Sequence, residues 1–130
     1  MPDRKPKILL LDDDRLTLEL YARELAGDYQ VTRTDDVSDT RQQLKDQVFD
    51  VVIIEPAVAG GWQLINEIHA LKKSPLVILC SVDDEWKSMI DKDVDTFLVK
   101  PVLPETLHTL LDQIFTKKST QSFTRLERGV

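Results

Sequence analysis

The residues Phe49-Asp50-Val51-Val52-Ile53-Ile54-Glu55-Pro56 carry four consecutive β-favouring apolar side chains, closed by a carboxylate and a proline. A run this short, with a breaker at its end, reads as a strand over residues 50–54 buried on both faces, the kind found inside parallel sheets. The position after it then falls at the carboxyl edge of the sheet, where open α/β sheets carry ligands and chemistry. Glu55 is therefore the side chain whose identity bears most on function.

Upstream, Lys7 to Leu11 reads as a first strand closed by Asp12-Asp13-Asp14. Leu18, Tyr21, Ala22 and Leu25 follow at helical spacing, with Leu16 and Leu20 widening the stripe, Asp14 as N-cap and Gly27 as the stop. Gln30 to Thr34 is expected as a second strand, and Ser38 as the cap of a second helix carrying Leu44 and Val48. Downstream, residues 56–61 form a loop in which two glycines permit turns that a side chain would hinder. Leu64, Ile65, Ile68 and Leu71 line a third helix ended by Ser74-Pro75, and residues 76–80 make a fourth strand with Ser81 at its end. Residues 83–92 predict a short polar helix whose large apolar residues are Trp86, Met89 and Ile90.

Thr96 to Val99 is expected as a fifth strand, stopped by Lys100-Pro101. The last helix opens at Pro104 and carries Leu107, Leu110, Leu111, Ile114 and Phe115, with Lys117 and Lys118 near the negative end of its dipole. Residues 119–130 turn polar and predict a linker or tail after a domain spanning 7–118. Five strands alternating with five helices predict an α/β fold: a flavodoxin-like, doubly wound parallel sheet of order 2-1-3-4-5 with right-handed crossovers.

Composition narrows the class of function. With 130 residues, 42% hydrophobic and 31% charged, the chain suits one soluble globular domain. A formal net charge of -6 argues against direct nucleic-acid contact. The basic start, Met1 to Lys7, is followed by too short an apolar run for a secretory signal, and nothing approaches the roughly 18 apolar residues of a spanning helix. No membrane contact is expected, and a cytoplasmic location is. The only cysteine, Cys80, excludes an internal disulfide and a cysteine-based metal cluster, and its apolar neighbours predict a buried thiol. His69 and His108, read without a second ligand at metal spacing, are expected in surface or half-buried structural roles.

Strand ends alone gather Asp12 and Asp13, Glu55, Ser81 and Lys100 at one edge of the sheet. Acids of this kind could hold a hard cation such as magnesium through oxygen, with the hydroxyl and ammonium groups binding an anion beside it.

At this point the chain resembles the receiver domain of bacterial two-component response regulators. The resemblance runs over residues 7–118 and rests on Ile8-Leu9-Leu10-Leu11-Asp12-Asp13-Asp14, Asp50-Val51-Val52-Ile53-Ile54, Val77-Ile78-Leu79-Cys80-Ser81, and Phe97-Leu98-Val99-Lys100-Pro101 with Pro104-Glu105 beyond. It implies a signal-transduction module of the phosphorelay type. Asp12, Asp13 and the residue at position 55 would meet magnesium, Ser81 would be the switch hydroxyl, Phe97 the switch aromatic and Lys100 the phosphate-sensing lysine. Implied partners are a histidine kinase or an output domain, with a homodimer as a further form.

The chain departs from the family at the phosphoacceptor, where Glu55 replaces aspartate. Carboxylates can accept phosphoryl groups, but one more methylene moves the oxygen by more than the roughly 1 Å that can cost about 100-fold. Loop 56–61 looks a residue or two shorter than usual and lacks an acid before the glycine. Residues 83–95 look compressed, which would remodel the usual output face and leaves Trp86 as a partner anchor or as packing.

Three readings follow. A phosphorylation-independent pseudo-receiver, acting as a regulatory interaction module without enzymatic turnover beyond residual autophosphotransfer, leads. A phosphorylatable receiver using Glu55 or a neighbouring carboxylate is second, and a structural dimerisation unit of a longer signalling protein is third.

Overall fold

The computed structural model describes residues 4–82 and 95–120. In chain order the elements are β1 (Lys7–Leu11), α1 (Arg15–Leu25), β2 (Gln30–Thr34), α2 (Val37–Asp46), β3 (Val51–Ile54), α3 (Gly61–His69), β4 (Leu76–Ser81), β5 (Thr96–Val99) and α4 (Pro104–Thr120). All four strand pairings are parallel and the sheet order is β2-β1-β3-β4-β5, the order expected. Four helices stand among the described residues rather than five; the helix expected over residues 83–92, with Trp86, lies outside them.

The sheet is buried on both faces because its central strands β1, β3 and β4 are apolar except at Lys7 and Ser81. Successive side chains alternate between faces, so Ile8, Leu10, Val51, Ile53 and Ile78 join one core with Leu18, Tyr21 and Leu25 of α1 and Leu107 and Leu111 of α4. Leu9, Leu11, Val52, Ile54 and Leu79 join the other with Val37 of α2 and Leu64, Ile65 and Ile68 of α3. Cys80 is 3% exposed within the first core, as its neighbours predict.

Several local expectations are corrected. Leu16 and Leu20 are 62% and 41% exposed, so the buried stripe of α1 is narrower than the apolar pattern. Val48 and Leu71 are exposed as well and lie beyond the ends of α2 and α3. Helix α2 is capped by Asp36, whose carboxylate accepts from Asp39 N at 2.7 Å, and Ser38 sits within the first turn. Asp14 does cap α1, accepting from Leu16 N at 3.2 Å. Gly27 follows the end of α1 without taking a left-handed conformation; among the glycines described, Gly60 alone has a positive φ, at 83°. Helix α4 runs to Thr120.

Asp50 stands just before β3, where its carboxylate accepts from Lys7 N at 2.8 Å, and Asp95 does the same for Val77 N before β5. Two acids thus satisfy backbone donors at the amino edge of the sheet, away from the site described next.

Candidate functional site

The ladder carries two acids past the strand ends. Asp12 N donates to Thr34 O at 3.2 Å and Glu55 N to Leu11 O at 2.9 Å, so each backbone is fixed by its neighbouring strand before its side chain acts. Lys100 follows β5, where its N donates to Ser81 O at 2.9 Å, and its bond to Pro101 is cis.

These placements bring three charges together. Lys100 Nζ donates to Asp12 Oδ2 at 2.6 Å and to Glu55 Oε1 at 3.0 Å, with the lysine side chain 16% exposed and each acid 8%. The other oxygens are used too: Asp12 Oδ1 accepts from Asp14 N at 2.9 Å, and Glu55 Oε2 from Ala57 N at 3.1 Å. Burial pulls the Lys100 pKa down, but hydrogen bonds and charge from Asp12 and Glu55 more than reverse it, leaving the ammonium above its ordinary range. Lys100 is therefore a firm cation between two carboxylates.

The loop after β3 is shaped by its glycines. Glu55 O and Val58 O accept from Val58 N and Gly61 N at 3.2 and 2.8 Å, folding residues 55–61 into successive turns. A Cβ on Gly61 would stand 2.6 Å from Pro56 O, so only glycine allows the start of α3 to approach this closely. Trp62 is half-buried against the core under α2 and α3.

Of the remaining expected site residues, Asp13 is exposed on the rim, Ser81 is 1% exposed beneath the site, and Phe97 is half-buried against the same core as Trp62. Among the described residues, Asp12, Asp13 and Glu55 do not form a set of three carboxylates within metal-ligand reach of one another. Asp12 and Glu55 face a common point, and that point is held by the ammonium. A divalent cation bound there would have to take at least one carboxylate from Lys100.

Sequence reading missed a second polar cluster, at the far end of α1. His108 of α4 meets Glu24 and Asp28 through its two ring nitrogens, each at 2.8 Å, and Asp112 lies one turn along the same helix. The spacing of His108 and Asp112, four residues apart on one helix, was visible; Glu24 and Asp28 arrive by packing of α1 against α4.

Comparison with known proteins identifies the family and the fold. Residues 8–112 match the family model described as response regulator receiver domain. The transcriptional regulatory protein HprR of Escherichia coli (strain K12) is 33% identical over 73% of this chain, which spans 45% of the length of that relative. A two-component response regulator from Clostridium difficile superposes with a TM-score of 0.80 at 17% identity, covering 89% of this chain and all of that one. The chemotaxis response regulator CheY4 of Vibrio cholerae gives 0.76 at 20% identity, covering 85% of this chain and 98% of the other.

Proposed function

The chain belongs to the response regulator receiver domain family of two-component signalling, and from that premise we propose that it is an atypical receiver that works without phosphorylation, as a regulatory interaction module. The observation that carries this reading is the contact of Lys100 Nζ with Glu55 Oε1 at 3.0 Å. In the reading, Glu55 stands where family members carry the acceptor aspartate. Its carboxylate lies already against the phosphate-sensing lysine, with its second oxygen held by Ala57 N.

A glutamate supplies one charge, whereas a phosphoryl group brings nearly two charges and three acceptor oxygens. A unit pair near 4 Å at an effective dielectric of 20 involves about 4 kcal/mol before desolvation, against the roughly 5.5 kcal/mol needed to move an equilibrium from 1:99 to 99:1. Glu55 thus biases the domain toward one signalling state without completing the switch. Ser81 and Phe97 are the residues that would register that bias.

Receiver domains generally bind magnesium at their phosphorylation site. Here Asp12 and Glu55 would hold it, Asp13 would have to turn inward from the rim to join them, and the ion would supply charge neutralisation for an incoming phosphate. Its competitor is Lys100. The partners we propose are a histidine kinase or an output domain, and the transcriptional role in the name of the Escherichia coli relative makes a DNA-binding output the leading choice. With a net charge of -6, this domain itself would contact protein rather than DNA.

Incubation with magnesium and a small phosphodonor, followed by intact-mass analysis, should show no phosphate adduct. Stoichiometric labelling at Glu55 would reject the proposal in favour of a phosphorylatable receiver. A purely structural reading, favoured by the 2.6 Å contact of Lys100 with Asp12, would be supported if Asp12→Asn, Asp13→Asn and Lys100→Met combined left partner binding unchanged.

A further inference from the structure

We propose that Asp28, His108 and Asp112 form a binding site for a borderline divalent cation, with Zn2+ the best match, clipping the end of α1 to α4. The site lies apart from the Lys100 centre and shares no residue with it. His108 Nε2 stands 2.8 Å from Asp28 Oδ2 and 3.7 Å from Asp112 Oδ1, and one ligand atom from each of the three side chains falls within 4.8 Å of the others. A tetrahedral ion with ligands at about 2.0–2.1 Å requires ligand atoms about 3.4 Å apart. The two distances from Nε2 bracket that value, and the two carboxylates lie within 4.8 Å of each other, so the three ligands face a common point.

The imidazole decides the type of metal. Magnesium and calcium take oxygen donors, whereas a nitrogen beside two carboxylates selects a first-row transition ion or zinc. Three protein ligands leave the fourth position to water.

Both ends of the set are oriented from outside. Glu24 Oε2 lies 2.8 Å from His108 Nδ1 and Asp28 Oδ2 2.8 Å from Nε2, so without metal both ring nitrogens donate to carboxylates, and an ion binding at Nε2 would displace that proton to solvent while Nδ1–H stays on Glu24. This is the carboxylate–histidine–metal arrangement that fixes ring orientation in metal sites. Tyr29 OH donates to Asp112 Oδ1 at 2.6 Å, and its ring meets that of His108 edge-on with centroids 5.9 Å apart. The acids remain open to solvent, with Asp28 63% and Asp112 55% exposed, while the histidine is 20% exposed. An ion can therefore enter without opening the fold. Three carboxylates around one imidazole also leave the spot electronegative.

Bound there, the metal would join the segment between α1 and β2 to the middle of α4, and binding only the folded chain would raise its melting temperature. The test is titration of the 130-residue chain with Zn2+ alone, followed by calorimetry and by the ring signals of its two histidines. Saturation at one equivalent is expected, with the His108 signals shifted and those of His69 in place. Asp28→Asn, Asp112→Asn and His108→Gln should each abolish saturation, and Glu24→Gln should weaken it about 10–100-fold. Asp28→Asn and Asp112→Asn alter exposed side chains, so the test survives any folding defect of His108→Gln. A Kd weaker than about 1 mM, or saturation that persists in Asp112→Asn and leaves the His108 signals unmoved, would overturn the proposal.

Discussion

Glu55 Oε1 and Lys100 Nζ lie 3.0 Å apart across β4, and the same ammonium reaches Asp12 Oδ2 at 2.6 Å. One cation serves two carboxylates, each 8% exposed, so the cluster keeps a single net negative charge. Two carboxylates this close and this dry would repel strongly without the lysine. The centre is thus held together by the one residue to which family resemblance assigns phosphate sensing, so in the proposed reading signalling and stability would depend on the same contacts.

Replacing Lys100 with methionine keeps much of the aliphatic stem and removes the charge. Asp12 and Glu55 are then left buried without their shared partner, a situation that costs about 3–5 kcal/mol. Urea denaturation at neutral pH should show that loss, and Lys100→Met with Glu55→Gln should recover part of it. A Lys100→Met loss within ordinary surface scatter would mean that water already screens the pair.

Stability should also fall in alkali. Burial in the apolar core pushes the Cys80 thiol from 9.0 up to about 11, opposed by the nearby Lys100 charge. Between those values the unfolded thiol loses its proton while the folded one keeps it, so the folded state binds more protons and stability declines as pH rises. At about 1.4 kcal/mol per unit, Cys80 contributes a loss of about 3 kcal/mol across the window. Tyr21, Tyr29 and Lys100, all raised, extend the decline to higher pH. Denaturant midpoints followed from about pH 9 to pH 11 should fall less steeply for Cys80→Ala than for the parent chain.

The sheet was legible because its information is local: Val51 to Ile54 is too short and too apolar for anything but an interior strand. The edge holding Asp12, Glu55, Ser81 and Lys100 followed from strand ends alone. Their contacts did not, since the reach of one lysine between β1 and β3 depends on strand order and side-chain length together. Asp36 and Ser38 are both good capping residues, so only backbone geometry could choose between them. Leu16 and Leu20 misled for a related reason, because helical periodicity locates an apolar face but not how much of it a neighbour covers. The Glu24 and Asp28 contacts to His108 span 84 and 80 residues of sequence and left no local trace.

The loop after Glu55 should tolerate no side chain at its second glycine. Gly61→Ala would drive a Cβ to 2.6 Å from Pro56 O, a backbone atom that cannot rotate away, at about 1–3 kcal/mol. Gly60→Ala meets only ordinary contacts with Val37 but must hold a φ of 83°, costing about 1–2 kcal/mol. Denaturation of both variants should show losses in these ranges. In Gly61→Ala, displacement of Pro56 should also shift the Ala57 amide signal, since that N–H donates to Glu55 Oε2 at 3.1 Å.

Glu55→Asp should turn the centre toward phosphate chemistry. Removing one methylene draws the carboxylate back toward β3, by more than the roughly 1 Å that can change a reaction rate about 100-fold. The 3.0 Å contact with Lys100 then lengthens, freeing an oxygen to attack and leaving the ammonium for the incoming phosphate. Asp12 keeps its own contact at 2.6 Å and stays in place to meet magnesium. Exposed to magnesium and a small phosphodonor, Glu55→Asp should acquire a single phosphate mass increment at a rate about 100-fold or more above the parent chain. Addition of Asp13→Ala should suppress it if, as proposed, the rim carboxylate joins the metal's ligands. An unlabelled Glu55→Asp chain that still binds magnesium would show that side-chain length at position 55 does not decide phosphorylation.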